Sequence, residues 1–327
     1  MEFDIVAIGS ATRDIFIGID DFKRIKSADF STGEGLCFPF GSKLEIKKIV
    51  FASGGGGTNA AVTFARQGLR TACIGVVGND FNGQELLNEL AGEGVETKYF
   101  QKHDDGPTAY SVILVDPSGE RTILSYKGEG QHFDAGKVVF EDIKTKWMFL
   151  DSLGGHYDVL EKAVNWAAAN GVKLATNPGG KELGHGLEKL KPLLKNFSIF
   201  WVNQEEAAKL TGIDYKNESE IFKAMDELIG GIFVMTKGPE GMAVSDGKNI
   251  YRAKVPDSPV VERTGAGDAS CSGFIAEYTR SGSIEKAIQF ATANASSVVT
   301  QYGAKAGILK NGDWGPWPLV KVEKSQL

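Results

Sequence analysis

Residues 147–176 read WMFLDSLGGHYDVLEKAVNWAAANGVKLAT. A short apolar run at 147–150, a longer helical stretch at 157–170 and a second apolar run at 172–176 give the order strand, helix, strand. The alternation continues with a helix at 186–195, a strand at 198–202 and a helix at 204–211. Such alternation implies right-handed crossovers and a parallel sheet with helices on both faces.

The rest of the chain extends this core and interrupts it. A buried strand at 3–9 opens the chain. Residues 13–20 alternate around Ile15, Ile17 and Ile19, with Phe16 on the other face, and read as a half-exposed strand. Residues 21–47 are mixed. A strand at 46–52 runs into Ser53 and four glycines. A helix at 58–67 carries Ala61, Phe64 and Ala65 on one face and stops at Gly68. A strand follows at 71–77, then a helix with Leu86, Leu87 and Leu90 capped by Asn79 or Asp80. Strands at 108–115 and 121–126 flank the turn Asp116-Pro117-Ser118-Gly119. Farther on come strands at 231–236, 241–246 and 249–254, helices at 268–280 and 283–300, and a tail with Trp314 and Trp317. The expected fold is α/β: a doubly wound, mostly parallel sheet plus a small β-sheet lid. Residues 1–11, 53–106 and 127–327 form the expected core. Residues 12–52 and 107–126 form the lid.

Composition excludes several classes. The 41 glycines in 327 residues exceed the ordinary share of roughly 7%. They follow no collagen period, and with 10 prolines and 42% hydrophobic residues they are not a disordered linker. They suggest tight turns and close backbone approach to a ligand. The net charge of −6 and the lack of a Lys/Arg block argue against a nucleic-acid partner. The first residues carry acids and no cationic n-region, so they read as a strand rather than a signal peptide. No apolar run approaches the ~18 residues of a membrane span. Three cysteines without a Cys-x-x-Cys fit a reducing cytoplasm. The four histidines show no ligand spacing.

Two glycine clusters carry the chemistry. Gly54-Gly55-Gly56-Gly57-Thr58-Asn59 lies between a strand and a helix. It matches neither the dinucleotide pattern, since Asn59 stands where the last glycine would be, nor a P-loop. It leaves a backbone that can touch a ligand, with a polar side chain at the helix start. Thr264-Gly265-Ala266-Gly267-Asp268-Ala269-Ser270 opens a helix. Its small residues leave N–H donors bare at the positive end of the helix dipole, an anion site, with Asp268 beside it. A third element, Asn203-Gln204-Glu205-Glu206, puts a carboxamide and a carboxylate on one helix face. It reads as a helix cap or as oxygen ligands for Mg²⁺. Thr236-Lys237-Gly238 ends a strand and can turn backbone toward a nucleotide.

Together these motifs resemble the ribokinase-like, or PfkB, carbohydrate kinases over nearly the whole chain. The resemblance implies ATP and Mg²⁺ as cofactors and Asp268 as catalytic base. Gly265, Ala266 and Gly267 become the anion hole for the transferred phosphate. Asn203 and Glu206 would order Mg²⁺ through water, and Thr236, Gly238 and Asn294 fall at the nucleotide site. Asp14, Gly55, Gly56 and Asn59 match acceptor contacts. The helix dipole and a nearby cation should lower the pKa of Asp268. The chain departs from the family at Glu262-Arg263-Thr264, where Asp-Thr-Thr is common. Glu262 and Thr264 correspond to a monovalent-cation site, but the longer Glu argues against K⁺ activation. Arg263 either replaces that ion or is a surface arginine.

Asp14 and Asn59 favour a neutral polyol as acceptor, because an acid repels phosphate. Arg121 and Lys127 read as solvated strand residues or as a site for an anionic acceptor. The aromatics in Cys37-Phe38-Pro39-Phe40 either stack on a sugar, a nucleobase or a second ring of an acarbose-like glycoside, or bury the lid against the core. The favoured activity is a sugar kinase. A nucleoside kinase and a non-catalytic sugar sensor are the alternatives. Family analogy implies a homodimer through the lid, with a small sugar-like molecule and ATP as the partners in solution.

Overall fold

The computed structural model describes residues 2–18, 22–30, 32–118 and 120–327. Ile19 and Gly119, each part of an expected element, lie outside them. Among the described residues the central sheet has nine strands. Their order is Glu323–Gln326, Asn249–Ala253, Met242–Ser245, Ile232–Thr236, Phe197–Asn203, Lys173–Thr176, Lys144–Leu150, Glu2–Ile8 and Thr71–Ile74. The strands from Ile232–Thr236 to Thr71–Ile74 are parallel. The other three are antiparallel.

Both sheet faces are buried, which explains why the parallel strands read as continuous apolar runs. Val6, Ile8, Met148 and Leu150 pack under the helices Tyr157–Ala169 and Glu218–Leu228. Ile5, Ala7, Trp147 and Phe149 pack on the opposite side, under Gly56–Arg66 and Ala266–Ser281. The doubly wound expectation is met. The helix Glu218–Leu228 and the edge strand Glu323–Gln326 are additions to it.

A second sheet has the order Arg121–Tyr126, Tyr110–Val115, Thr12–Gly18, Lys48–Gly54. Its inner face buries Phe16, Ile113 and Val115 with Tyr302. On its outer face Ile49, Phe51, Leu124 and Tyr126 are exposed. The alternation of Ile15 and Ile17 against Phe16 thus separates the two faces of this lid. The unassigned stretch contains the hairpin Lys23–Lys26 and Glu34–Cys37. Arg24 holds it to the lid by pairing with both oxygens of Asp116. Phe38 and Phe40 are exposed, so they do not bury the lid against the core. Trp314 packs edge-on against Phe290, 5.1 Å between ring centres. No helix among the described residues is long and apolar enough to cross a membrane.

Candidate active site

The carboxyl end of the strand Glu2–Ile8 leads into the lid strand Thr12–Gly18, and the lid strand Lys48–Gly54 leads into the helix Gly56–Arg66. Lid and core therefore meet at the glycine cluster. Gly55 begins the helix with φ +92, a conformation open to glycine. Side chains on Gly54 and Gly56 would strike the carboxylates of Asp14 and Asp151. Close packing against acids, as well as ligand approach, explains the run of glycines.

The second cluster meets the first. Gly265 has φ +81 and caps the helix Ala266–Ser281, and no side chain caps that end. Ala266 N–H turns back to Arg263 O at 3.4 Å, and the N–H groups of Gly267 and Asp268 stay available to an anion. A side chain on Gly265 would strike Ala304, whereas space around Gly267 is open. Asp268, in the first turn, accepts a hydrogen bond from Asn59 Nδ2 at 2.7 Å. Asn59 Oδ1 is buried without a partner.

Three carboxylates share this region. Asp14 is buried and accepts from Thr12 Oγ1 at 2.9 Å. Asp151 ends the strand Lys144–Leu150 and accepts from Ser10 Oγ at 3.1 Å. Burial, and next the charge of Asp268, pushes Asp151 well above the ordinary carboxylate range. Burial also raises Asp14 and Asp268; Asn59 and Lys305 oppose it at Asp268. The low pKa expected for Asp268 from the helix dipole is therefore reversed by desolvation.

Lys305 is the cation of this cluster. Its Nζ donates to Ser53 O at 2.8 Å, Ser53 Oγ at 3.0 Å and Thr58 Oγ1 at 2.8 Å. Burial lowers its pKa to about 8, while Asp14, Glu89 and Asp268 act to keep it charged. Asp151 and Lys305 escaped the sequence reading. Neither sits in a local motif, so no signal in the sequence marks them.

The other expected residues form a second group. Asn203 and Thr236 are register partners on neighbouring strands, so both stand at one carboxyl edge. Asn203 and Glu206 form a capping box: Asn203 Oδ1 accepts Glu206 N–H at 2.8 Å, and Glu206 Oε2 accepts Asn203 N–H at 2.9 Å. The second carboxylate oxygen of Glu206 remains for water, which suits a hydrated Mg²⁺ carried on phosphates rather than a closed protein cage. Accordingly, no group of three His, Cys, Asp or Glu among the described residues could hold a metal. Gly238 is exposed, with φ +56. Asn294 is fully buried, donating to Ala269 O at 2.8 Å and accepting from Leu309 N at 2.9 Å. Its amide ties the helix Ala266–Ser281 to the C-terminal loop. Glu262 is fully buried; its Oε1 accepts from Thr264 N–H at 2.6 Å and lies 3.5 Å from Arg121 Nε. Arg121 is thus a partly exposed ion-pair partner of Glu262.

A family model for pfkB family carbohydrate kinases matches residues 24–311. A ribokinase from Haemophilus influenzae is 29% identical over 274 residues, covering 82% of this chain and 88% of that protein. A nucleoside kinase from Methanothermobacter thermautotrophicus is 24% identical over 327 residues, covering 97% and 98%. The structure of Arabidopsis thaliana ribokinase complexed with ribose and ATP has the same fold, with a TM-score of 0.71 at 22% identity over 95% of this chain and 96% of that one. The match spans most of the chain and both glycine clusters, and the chain belongs to the PfkB family of carbohydrate kinases.

Proposed function

We propose that the protein moves the γ-phosphate of ATP to an alcohol group of a neutral sugar or sugar-like acceptor, with Asp268 as the base. That it is an ATP-dependent sugar or nucleoside kinase of the ribokinase type follows from its family. The observation that carries the finer reading is the Asn59–Asp268 contact, which joins the acceptor-side cluster to an uncapped helix start. Asp268 accepts the hydroxyl proton, and the Gly265–Gly267 turn stabilises charge on the phosphoryl group in transit. Asp14, Gly55, Gly56, Asn59 and, from its place beside Gly56, Asp151 bind the acceptor's hydroxyls. Three acids beside one lysine favour an uncharged acceptor.

Thr236 and Gly238 contact the nucleotide, and Asn294 supports the helix behind it. Bound with the nucleotide, Mg²⁺ supplies neutralisation of phosphate charge, held through water by Asn203 and Glu206. Arg121 facing Glu262 argues against a K⁺ requirement. The lid comprises residues 12–52 and 107–126, and its exposed apolar outer face supports a homodimer. Three free cysteines, two of them buried, suit a reducing cytoplasm. The full-length nucleoside kinase relative supports a nucleoside acceptor as the second reading. An ATP-consumption screen over monosaccharides, phosphorylated sugars, nucleosides and glycosylated pseudosugars tests both. Turnover confined to phosphorylated sugars would overturn the neutral-acceptor reading.

A further inference from the structure

The tip of the lid and the turn before the phosphate-site helix carry the same tripeptide, Glu120-Arg121-Thr122 and Glu262-Arg263-Thr264. The two face each other with charges crossed. Arg121 Nε lies 3.5 Å from Glu262 Oε1, and Arg263 Nη1 lies 3.6 Å from Glu120 Oε1. The pairs differ in setting. Glu120–Arg263 is an exposed rim pair, of small energetic worth. Glu262 is fully buried.

Around Glu262 three polar atoms are buried without a hydrogen-bond partner: Glu262 Oε2, Thr264 Oγ1 and Arg121 Nε. Burying such groups unpaired is costly, so the arrangement has hydrogen bonds still to make. On the core side Val261 and Glu262 both donate their N–H groups to Val299 O. The Glu262 carboxylate holds the Thr264 N–H, one residue before Gly265 turns into the helix. Its position therefore shapes the peptide that leads to the proposed anion hole. Burial raises the pKa of Glu262, and Arg121 works against that shift with the Thr264 N–H.

Resting on the kinase reading, we propose that Arg121 is a positioning residue which, through the buried Glu262, couples closure of the lid to the geometry of the phosphate-binding turn 264–267. Deeper closure brings the guanidinium fork onto both Glu262 oxygens and gives Arg121 Nε and Glu262 Oε2 their missing partners. The turn is then held in its anion-binding shape only when the lid is down over an acceptor, which favours transfer to the acceptor over transfer to water. A cavity of about 380 Å³, lined in part by Arg24, Glu34, Asp116 and Arg121, adjoins the pair and gives a small solute a route to it.

The test compares the parent with Arg121→Ala, Arg121→Lys, Glu262→Gln and the Arg121→Ala/Glu262→Gln double variant. Arg121→Ala is expected to lose about 10- to 100-fold in kcat, the scale of a lost charge-assisted hydrogen bond, with KM for ATP little changed. Millimolar guanidinium ion should restore part of that loss, and Arg121→Lys should retain more activity than Arg121→Ala. Glu262→Gln should lose kcat without guanidinium rescue, and the double variant should be no worse than the worse single one. Amides 262–268 should exchange hydrogen faster in Arg121→Ala than in the parent. Parental kcat in Arg121→Ala, or a loss with neither guanidinium recovery nor faster exchange at 262–268, would overturn the coupling. If the parent transfers phosphate to no acceptor, the kinase reading fails, while the exchange comparison needs no turnover and still decides the coupling.

Discussion

Asn59 donates its side-chain amide to Asp268 Oδ2 at 2.7 Å, joining two helix starts 209 residues apart in the chain. The contact places the proposed base at the junction of the acceptor-side glycines and the bare helix end. Asp268→Ala should lose roughly 10²–10⁴-fold in kcat, while calorimetry still shows nucleotide binding. Turnover near the parent's would remove Asp268 from the role of base.

The same contact predicts a pH effect. The Asn59 amide stabilises ionised Asp268 and opposes the rise that burial causes. Activity needs the ionised form, so it is present above the Asp268 pKa and lost as pH falls through it. In Asn59→Ala that pKa rises further, and the acid limb of kcat/KM moves to higher pH. An unmoved limb would show that Asn59 contributes only shape.

Lys305 sets the opposite limb. Its pKa is lowered to about 8, first by burial. As pH rises through that value its charge is lost, and Asp14 and Asp268 lose their compensating cation. The parent's kcat/KM should fall as pH passes about 8. Lys305→Met should abolish that fall and raise the pH of the acid limb. Lys305→Arg, always charged, should carry activity to higher pH than the parent. Identical profiles for parent and Lys305→Met would exclude the electrostatic role.

Gly56 is crowded by Asp151, so Gly56→Ala must displace that carboxylate or the helix start. Overpacking of this kind costs about 1–3 kcal/mol, readable in urea unfolding. Acceptor KM should rise more than KM for ATP. A fully stable variant with unchanged acceptor KM would show that Asp151 moves freely.

The lid's outer face presents Ile49, Phe51, Leu124 and Tyr126. Phe51→Asp with Leu124→Asp should convert a sedimenting dimer into monomer while leaving the core's unfolding transition in place. A parent that already sediments as monomer at all concentrations tested would exclude the lid-to-lid dimer.

By itself the sequence determined the layered core and the helix start proposed to bind phosphate, because the first is written in local periods and the second in a local run of small residues. Apolar runs such as 147–150 are buried on both sides of one sheet, and the run from Gly265 to Asp268 opens the helix Ala266–Ser281. Tertiary structure alone decided the electrostatics. Asp151 arrives from the end of a central strand and Lys305 from the C-terminal loop, with nothing around either in the chain to mark it. The helix dipole, a local effect, predicts a low pKa for Asp268, and burial by residues distant in sequence raises it. Arg263, the cation next to Glu262 in the chain, pairs with Glu120, while Glu262 meets Arg121 from the lid. Desolvation and charge pairing depend on distances through space, and those are set only when lid and core fold against one another.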